Sequence, residues 1–214
     1  MVQQIELERE PKPRTAEYSA KRQQIIEGAH AVFLAQGFDA ASMNDIARAA
    51  GVSKGTLYVY FQDKGQLFQA ICNRECTGHA ERVFKFDPEH QDVEATLTRV
   101  GEGFVKTLCC PAKASTARTV IAIAERMPEI GKSFYETGPA HGIELLAGYL
   151  EDQVKAGVLK IDDCEIAAAQ FIDSCQSTMF KPLMFNFGKP PAEERIRHVV
   201  GIAVRTFLAA YRAR

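Results

Sequence analysis

The stretch "SMNDIARAAGVSKGTLYVYF", residues 42 to 61, allows few folds, because it places two helix starts and one helix stop within a short span. Ser42 stands three residues before Asp45, which returns the capping hydrogen bond, and Met43, Ile46, Ala47 and Ala50 supply an apolar face. Gly51 then ends that helix, since glycine takes the left-handed conformation that turns the chain sharply at a helix C-terminus. Ser53 caps a further helix, whose Leu57 and Phe61 sit one turn apart and point inward. Two short helices joined by a tight glycine turn make a helix-turn-helix, in which the second helix can lie in a DNA major groove.

The second helix has an unusual outer arc. With Leu57 and Phe61 turned inward, Gly55, Thr56, Tyr58, Val59 and Tyr60 occupy the side where a monomeric protein normally displays charge. Packing of Tyr58 and Tyr60 rings on a neighbouring helix accounts for them equally well by composition alone. The coincidence of donors favours DNA: Ser42, Ser53, Lys54, Tyr58, Tyr60, Lys64 and the backbone N–H groups at the two helix starts all suit phosphate oxygens. Gly55 removes a side chain where a backbone would approach DNA closely. Thr56 can hydrogen-bond a base or touch a thymine methyl, and Val59 can do only the latter.

Around this stretch the chain reads as helix throughout. Residues 1–18 are polar, carry Pro11 and Pro13 and lack periodicity, so a mobile arm is expected there. Ile25, Ala29, Val32 and Phe33 repeat with helical spacing after Ser19, and Gly37 stops that helix; Asp63 with Gln66 caps a fourth helix through Leu67, Phe68 and Ile71. Further helices are expected near 92–109, 113–126, 129–156, 163–180 and 192–211. Pro111, Pro128 and Pro190-Pro191 fall at joins, Gly157 is a stop, and Asp162 with Glu165 forms another capping pair. The expected fold class is all-α.

Composition narrows the function. In 214 residues, 46% are hydrophobic, enough for a sizeable core, and a formal net charge of −1 argues against non-specific coating of nucleic acid. Any DNA contact must be local. No apolar run is long enough to span a membrane and the N-terminal residues do not resemble a signal peptide, so a cytoplasmic protein with no membrane partner is expected. The six cysteines are then expected as reduced thiols without disulfides. Cys72, Cys76 and His79 share a helical face but lack an evident fourth ligand, and Cys109-Cys110 has no basic flank to activate a thiol; packing is the simpler reading for both, and neither metal nor cofactor is expected. No nucleophile elbow, phosphate loop, zinc HExxH or dinucleotide fingerprint is present, which argues against an enzyme.

From Arg22 to Glu75, with "SMNDIARAAGVSKGTLYVYFQDKGQLFQAI" at its centre, the sequence resembles the DNA-binding domain of the TetR/AcrR family of bacterial transcriptional regulators, without gaps. The resemblance implies DNA-contact roles for Ser42, Ser53, Lys54, Gly55, Thr56, Tyr58, Tyr60 and Lys64. Val59 departs from it, standing where many members carry an aromatic or polar residue. Arg14, Lys21 and Arg22 offer positive charge near the arm, but Glu6, Glu8 and Glu10 oppose it, and the arm is left out of the site.

Further along, "ERMPEIGKSFYETGPAHGIELLAGYLEDQVKAGVLKIDD" is similar to the C-terminal region of AefR-like regulators, which implies a domain that senses a small molecule and dimerises. The implied division is an arm over 1–18, a DNA-binding domain over 19–80 and an effector and dimerisation domain over 81–214. Pro139, beside Gly138, deletes a backbone hydrogen bond inside the long helix and is expected to kink it, opening space. Candidates to line that space are Phe104, Arg118, Phe134, Tyr135, His141, Phe171, Cys175 and Met179, with Arg118 and His141 as polar anchors. The last two helices carry more apolar residues than one face needs, Val200, Ala203, Val204, Phe207, Leu208 and Tyr211 among them, and suit a homodimer. The expected function is a repressor that binds a near-palindromic double-stranded operator as a dimer and is released by a small-molecule effector. The alternative is a redox- or metal-responsive regulator using Cys72, Cys76, Cys109 and Cys110.

Overall fold

The computed structural model of the chain describes residues 16–86 and 92–213, without the side chains of Ala16, Cys76, Thr77 and His79. Most of the arm, Arg14 included, and the side chains of Cys76 and His79 lie outside the described residues. Within them the fold is all-α, with no strand; an isolated bridge pairs Leu159 with Arg212. Contacts divide the chain into two units, residues 1–64 and 65–214.

The first unit holds α1 (Ala16–Gln36), α2 (Met43–Ala49) and α3 (Lys54–Tyr60). Ile25, Ile26, Ala29, Val32 and Phe33 of α1, Ile46 and Ala47 of α2, and Leu57 of α3 form its buried side, with Phe38 and Phe61 from the connections. Each fully buried Leu or Phe adds about 1.5–3 kcal/mol. α1 and α2 approach closely at Gly28, where an added Cβ would stand 2.6 Å from the backbone nitrogen of Ala50.

The turn after α2 is a Schellman motif. Gly51 has φ +63 and donates its N–H to Arg48 O at 3.1 Å, and Val52 N–H donates to Ala47 O at 3.0 Å. A side chain at that φ would cost about 1–2 kcal/mol, which is why glycine stands there.

The second unit contains nearly all of α4 (Lys64–Val83), then α5 (Val93–Leu108), α6 (Pro111–Ile123), α7 (Pro128–Tyr135), α8 (His141–Lys155), α9 (Cys164–Cys175), α10 (Phe180–Met184) and α11 (Glu193–Tyr211). The boundary expected at 80/81 lies inside the continuous α4. α5, α8, α9 and α11 pack around Leu97, Val100, Leu146, Leu150, Phe171, Cys175, Val200 and Val204. α4 joins this unit by polar ties: Lys113 Nζ donates to Glu75 Oε2 at 2.8 Å, Ser133 Oγ to Asn73 Oδ1 at 2.8 Å, and Arg99 Nη2 to Lys85 O, just past its end, at 2.6 Å.

Local details differ from the sequence expectations for identifiable reasons. Pro139 does not interrupt the helical run; the backbone widens into a π-turn, Glu136–Ala140, between α7 and α8. A wider turn relieves the clash of the proline ring with the preceding turn and tolerates its missing N–H. The helix expected over 163–180 stops at Cys175, and Thr178 takes φ +65 before α10. Hydroxyls compete with the backbone there, Ser174 Oγ donating to Gln170 O and Ser177 Oγ to Asp173 O. The cap of α9 is Asp163, not Asp162: Asp163 Oδ1 accepts Ile166 N–H at 2.9 Å.

Candidate nucleic-acid interface

α2 and α3 are both started by serine. Ser42 Oγ accepts Asp45 N–H at 3.2 Å and donates to Asp45 Oδ2, and Ser53 Oγ accepts Thr56 N–H at 3.0 Å. Each cap satisfies a donor that the first helical turn leaves unpaired. Ser53 Oγ also pairs with Thr56 Oγ1 at 2.8 Å, which ties the two side chains together at the start of α3.

α3 is short and sharply two-faced. Leu57 is 0% exposed and Phe61 3%, whereas Val59 is 74% exposed and Tyr58 44%. Lys54 and Gly55 are also exposed, and Thr56 and Tyr60 are half-buried. The Tyr60 ring stacks on Tyr18 of α1, with centroids 4.6 Å apart and planes 28° apart. Tyr58 stands outward; Tyr60 is held against α1. Lys64 directs its ammonium at the carbonyls of Phe38, Asp39 and Ala41. In α1, Lys21 Nζ donates to Gln24 Oε1 at 3.0 Å and the Arg22 guanidinium lies 5.0 Å from the Phe61 ring centre.

The candidate effector residues of the second unit fall into separate settings. Phe171, Cys175 and Met179 are buried in the core, Phe171 edge-to-face on Phe207 at 5.4 Å, and half-buried Phe104 packs against that core. The packing is tight: a Cβ on Gly101 would stand 2.9 Å from Cys175 Sγ and 2.8 Å from Val200. Arg118 Nη1 donates to Leu183 O at 2.7 Å, tying α6 to α10. Phe134, Tyr135 and His141 follow α7, the π-turn and the start of α8; Tyr135 is 58% exposed and His141 Nδ1 lies 3.4 Å from Glu144 Oε2. An open groove of about 730 Å³ runs along α5, lined by Asp92, Glu94, Ala95, Thr98, Arg99, Glu102, Gly103 and Lys106, and includes none of these candidates.

Burial, and secondarily the neighbouring Cys110, pushes the Cys109 thiol up to about 11, and burial alone pushes Cys175 to about 12. Both are therefore poor thiolates at neutral pH. Among the described residues no group of three metal-binding side chains gathers, and no helix is long and apolar enough to cross a membrane.

Residues 25–71 match the family model for bacterial regulatory proteins of the tetR family, and residues 95–213 match that of the AefR-like transcriptional repressor C-terminal domain. The chain belongs to the TetR family of transcriptional regulators. Among solved relatives, the flavonoid-responsive regulator FrrA is 31% identical, with 92% of this chain and 99% of FrrA covered and a TM-score of 0.78. A TetR-family regulator from Mesorhizobium loti is 26% identical over 91% of this chain and 98% of its own, with a TM-score of 0.86. The curated regulator YfiR of Bacillus subtilis is 37% identical over 87 residues, 39% of this chain and 41% of YfiR. The chain thus spans less than half the length of that curated relative.

Two residues of this TetR-family chain that the sequence reading left outside the site belong beside it. Val59 is the most exposed large apolar side chain of α3, and its helical position among Thr56, Tyr58 and Tyr60 was the available signal. Tyr18 had no such signal, since its pairing with Tyr60 spans α1 to α3.

Proposed function

We propose that this chain is a transcriptional repressor that binds a near-palindromic DNA operator as a homodimer and is released by a small organic effector. The observation that carries the reading is α3 itself: a capped, two-faced helix anchored by Leu57 and Phe61 that turns Lys54, Gly55, Tyr58 and Val59 outward. In this reading Thr56 and Val59 meet base edges, while Ser42, Ser53, Lys54, Tyr58 and Tyr60 take phosphates and Gly55 admits the backbone closely. One such helix reads few bases, and two related by a two-fold axis read a paired site. Dimerisation is supported by the outer faces of α9 and α11: exposed Ile166 and Ile202 are accompanied by acidic Glu165 and Asp173 on α9 and basic Arg195 and Arg205 on α11.

The effector side is supported by partial or full exposure at Arg118, Phe134, Tyr135 and His141, in contrast to the buried Phe171, Cys175 and Met179. FrrA responds to flavonoids, which makes a planar aromatic effector the first class to test here. Coupling of about 1–3 kcal/mol between effector and DNA would change occupancy severalfold or more. A cysteine-based redox trigger has less support, because burial disfavours the Cys109 thiolate. The protein acts in the cytoplasm and needs no enzymatic step.

Selection of bound duplexes from a random pool tests the core of the proposal. Enrichment of a two-fold motif, with release by planar aromatics, is the expected result. A pool with no enrichment, and no duplex binding at low salt, would overturn it.

A further inference from the structure

The ammonium of Lys64 stands 2.8 Å from Phe38 O, 2.9 Å from Asp39 O and 3.3 Å from Ala41 O. It also lies 4.8 Å from the centre of the Phe38 ring. A lysine ammonium has three protons and no acceptor, so three carbonyls use its full donor capacity. These carbonyls belong to the segment between α1 and α2, and Ala41 directly precedes Ser42, the cap of α2. Lys64 itself directly follows the α3 connection as the first residue of α4. One side chain therefore joins the entry of the helix-turn-helix to its exit.

We infer that Lys64 is a positioning residue of the DNA-reading unit: its ammonium gathers the carbonyls of residues 38, 39 and 41, sets where Ser42 and the start of α2 stand, and does not neutralise a DNA phosphate. The inference rests on the proposal that α3 reads duplex DNA. To reach a phosphate, Lys64 would have to give up carbonyl bonds around a half-buried charge, and the deserted carbonyls would lose a charged partner. A lysine beside a recognition helix looks like a phosphate contact in sequence because its charge is visible and the converging carbonyls are not.

The test begins without DNA. In the full-length protein with ¹⁵N-labelled lysines, a slowly exchanging Lys64 ammonium signal is expected in the free state and unchanged on adding a selected duplex. A rapidly exchanging ammonium that becomes protected only with duplex would overturn the inference. Binding then separates the two roles. Lys64→Met is expected to weaken binding by about three- to tenfold while leaving the salt dependence at the wild-type slope. Lys64→Arg, which keeps the charge but cannot place three donors on the same carbonyls, should be weakened as well. Full affinity in Lys64→Arg, or a slope flatter by about one unit per half-site in Lys64→Met, would assign a phosphate contact instead. Wild-type protein that binds no duplex would sink the DNA-binding proposal and leave the ammonium measurement standing by itself.

Discussion

The Gln24 side chain donates from Nε2 to the backbone carbonyl of Ala50 at 2.6 Å, so α1 grips α2 at the residue before its Schellman glycine. This joins a long helix to the point where the reading unit turns. Gln24→Ala should cost about 0.5–1.5 kcal/mol and lower hydrogen-exchange protection in α2. Unchanged protection across residues 46–52 would show that the bond does not hold the turn.

Gly28 faces the same place. Its absent Cβ leaves room for the Ala50 backbone, so Gly28→Ala forces α1 and α2 apart. A loss of about 1–3 kcal/mol is expected, read by urea unfolding, together with weaker duplex binding. A neutral result would mean that the helices separate without cost.

Base-reading and phosphate-binding residues should separate cleanly. Thr56→Ala and Val59→Ala are expected to change which bases are selected, with about 1–3 kcal/mol of discrimination at stake for each well-read base pair. Tyr58→Phe removes only a hydroxyl and should weaken binding to all duplexes alike. Selection repeated with each variant checks this; an unaltered motif from Thr56→Ala would remove Thr56 from the reading set.

The tie between Lys113 and Glu75 is mostly shielded from solvent, with side chains 24% and 16% exposed. Lys113→Met removes this charged partner from the Glu75 carboxylate, and a destabilisation of about 1–3 kcal/mol is expected. A Lys113→Met, Glu75→Gln double variant should recover part of that loss, as a double-mutant cycle would measure. Simple additivity would deny the coupling.

Alkaline pH should loosen the second unit through Cys175. Its thiol is raised from 9.0 to about 12 in the folded chain, so the folded state holds the proton that the unfolded state gives up. Stability from this group is therefore complete below pH 9 and falls as pH rises from 9 toward 12. Cys175→Ala should flatten that decline in melting experiments, whatever its effect at neutral pH. An equally steep decline in the variant would assign the loss to other groups.

The reading unit was legible because its signals are local. Ser42, Gly51 and Ser53 fix helix ends through hydrogen bonds a few residues long, and Leu57 with Phe61 sets the buried side of α3. What escaped the sequence depends on distance along the chain: Tyr18 meets Tyr60, and Lys64 meets carbonyls 23 to 26 residues away. The second unit was harder still. Aromatic and sulfur side chains repeat at the same spacing whether they line a ligand site or fill a core, and only burial separates Phe171 and Cys175 from Tyr135.

The π-turn at Glu136–Ala140 has an arithmetic consequence, because it acts as one surplus residue in a run that otherwise winds at the α-helical pitch. Deleting a single residue there would let the backbone close into a smooth helix while everything downstream kept its bearing, whereas a deletion within the regular turns of α8 would swing the residues beyond it by about 100°. Leu146 and Leu150 would stay in their sockets after the first change, whereas a deletion just ahead of them in α8 would turn charged neighbours inward, so the π-turn is the one place in this run where a residue can be lost without scrambling the interior.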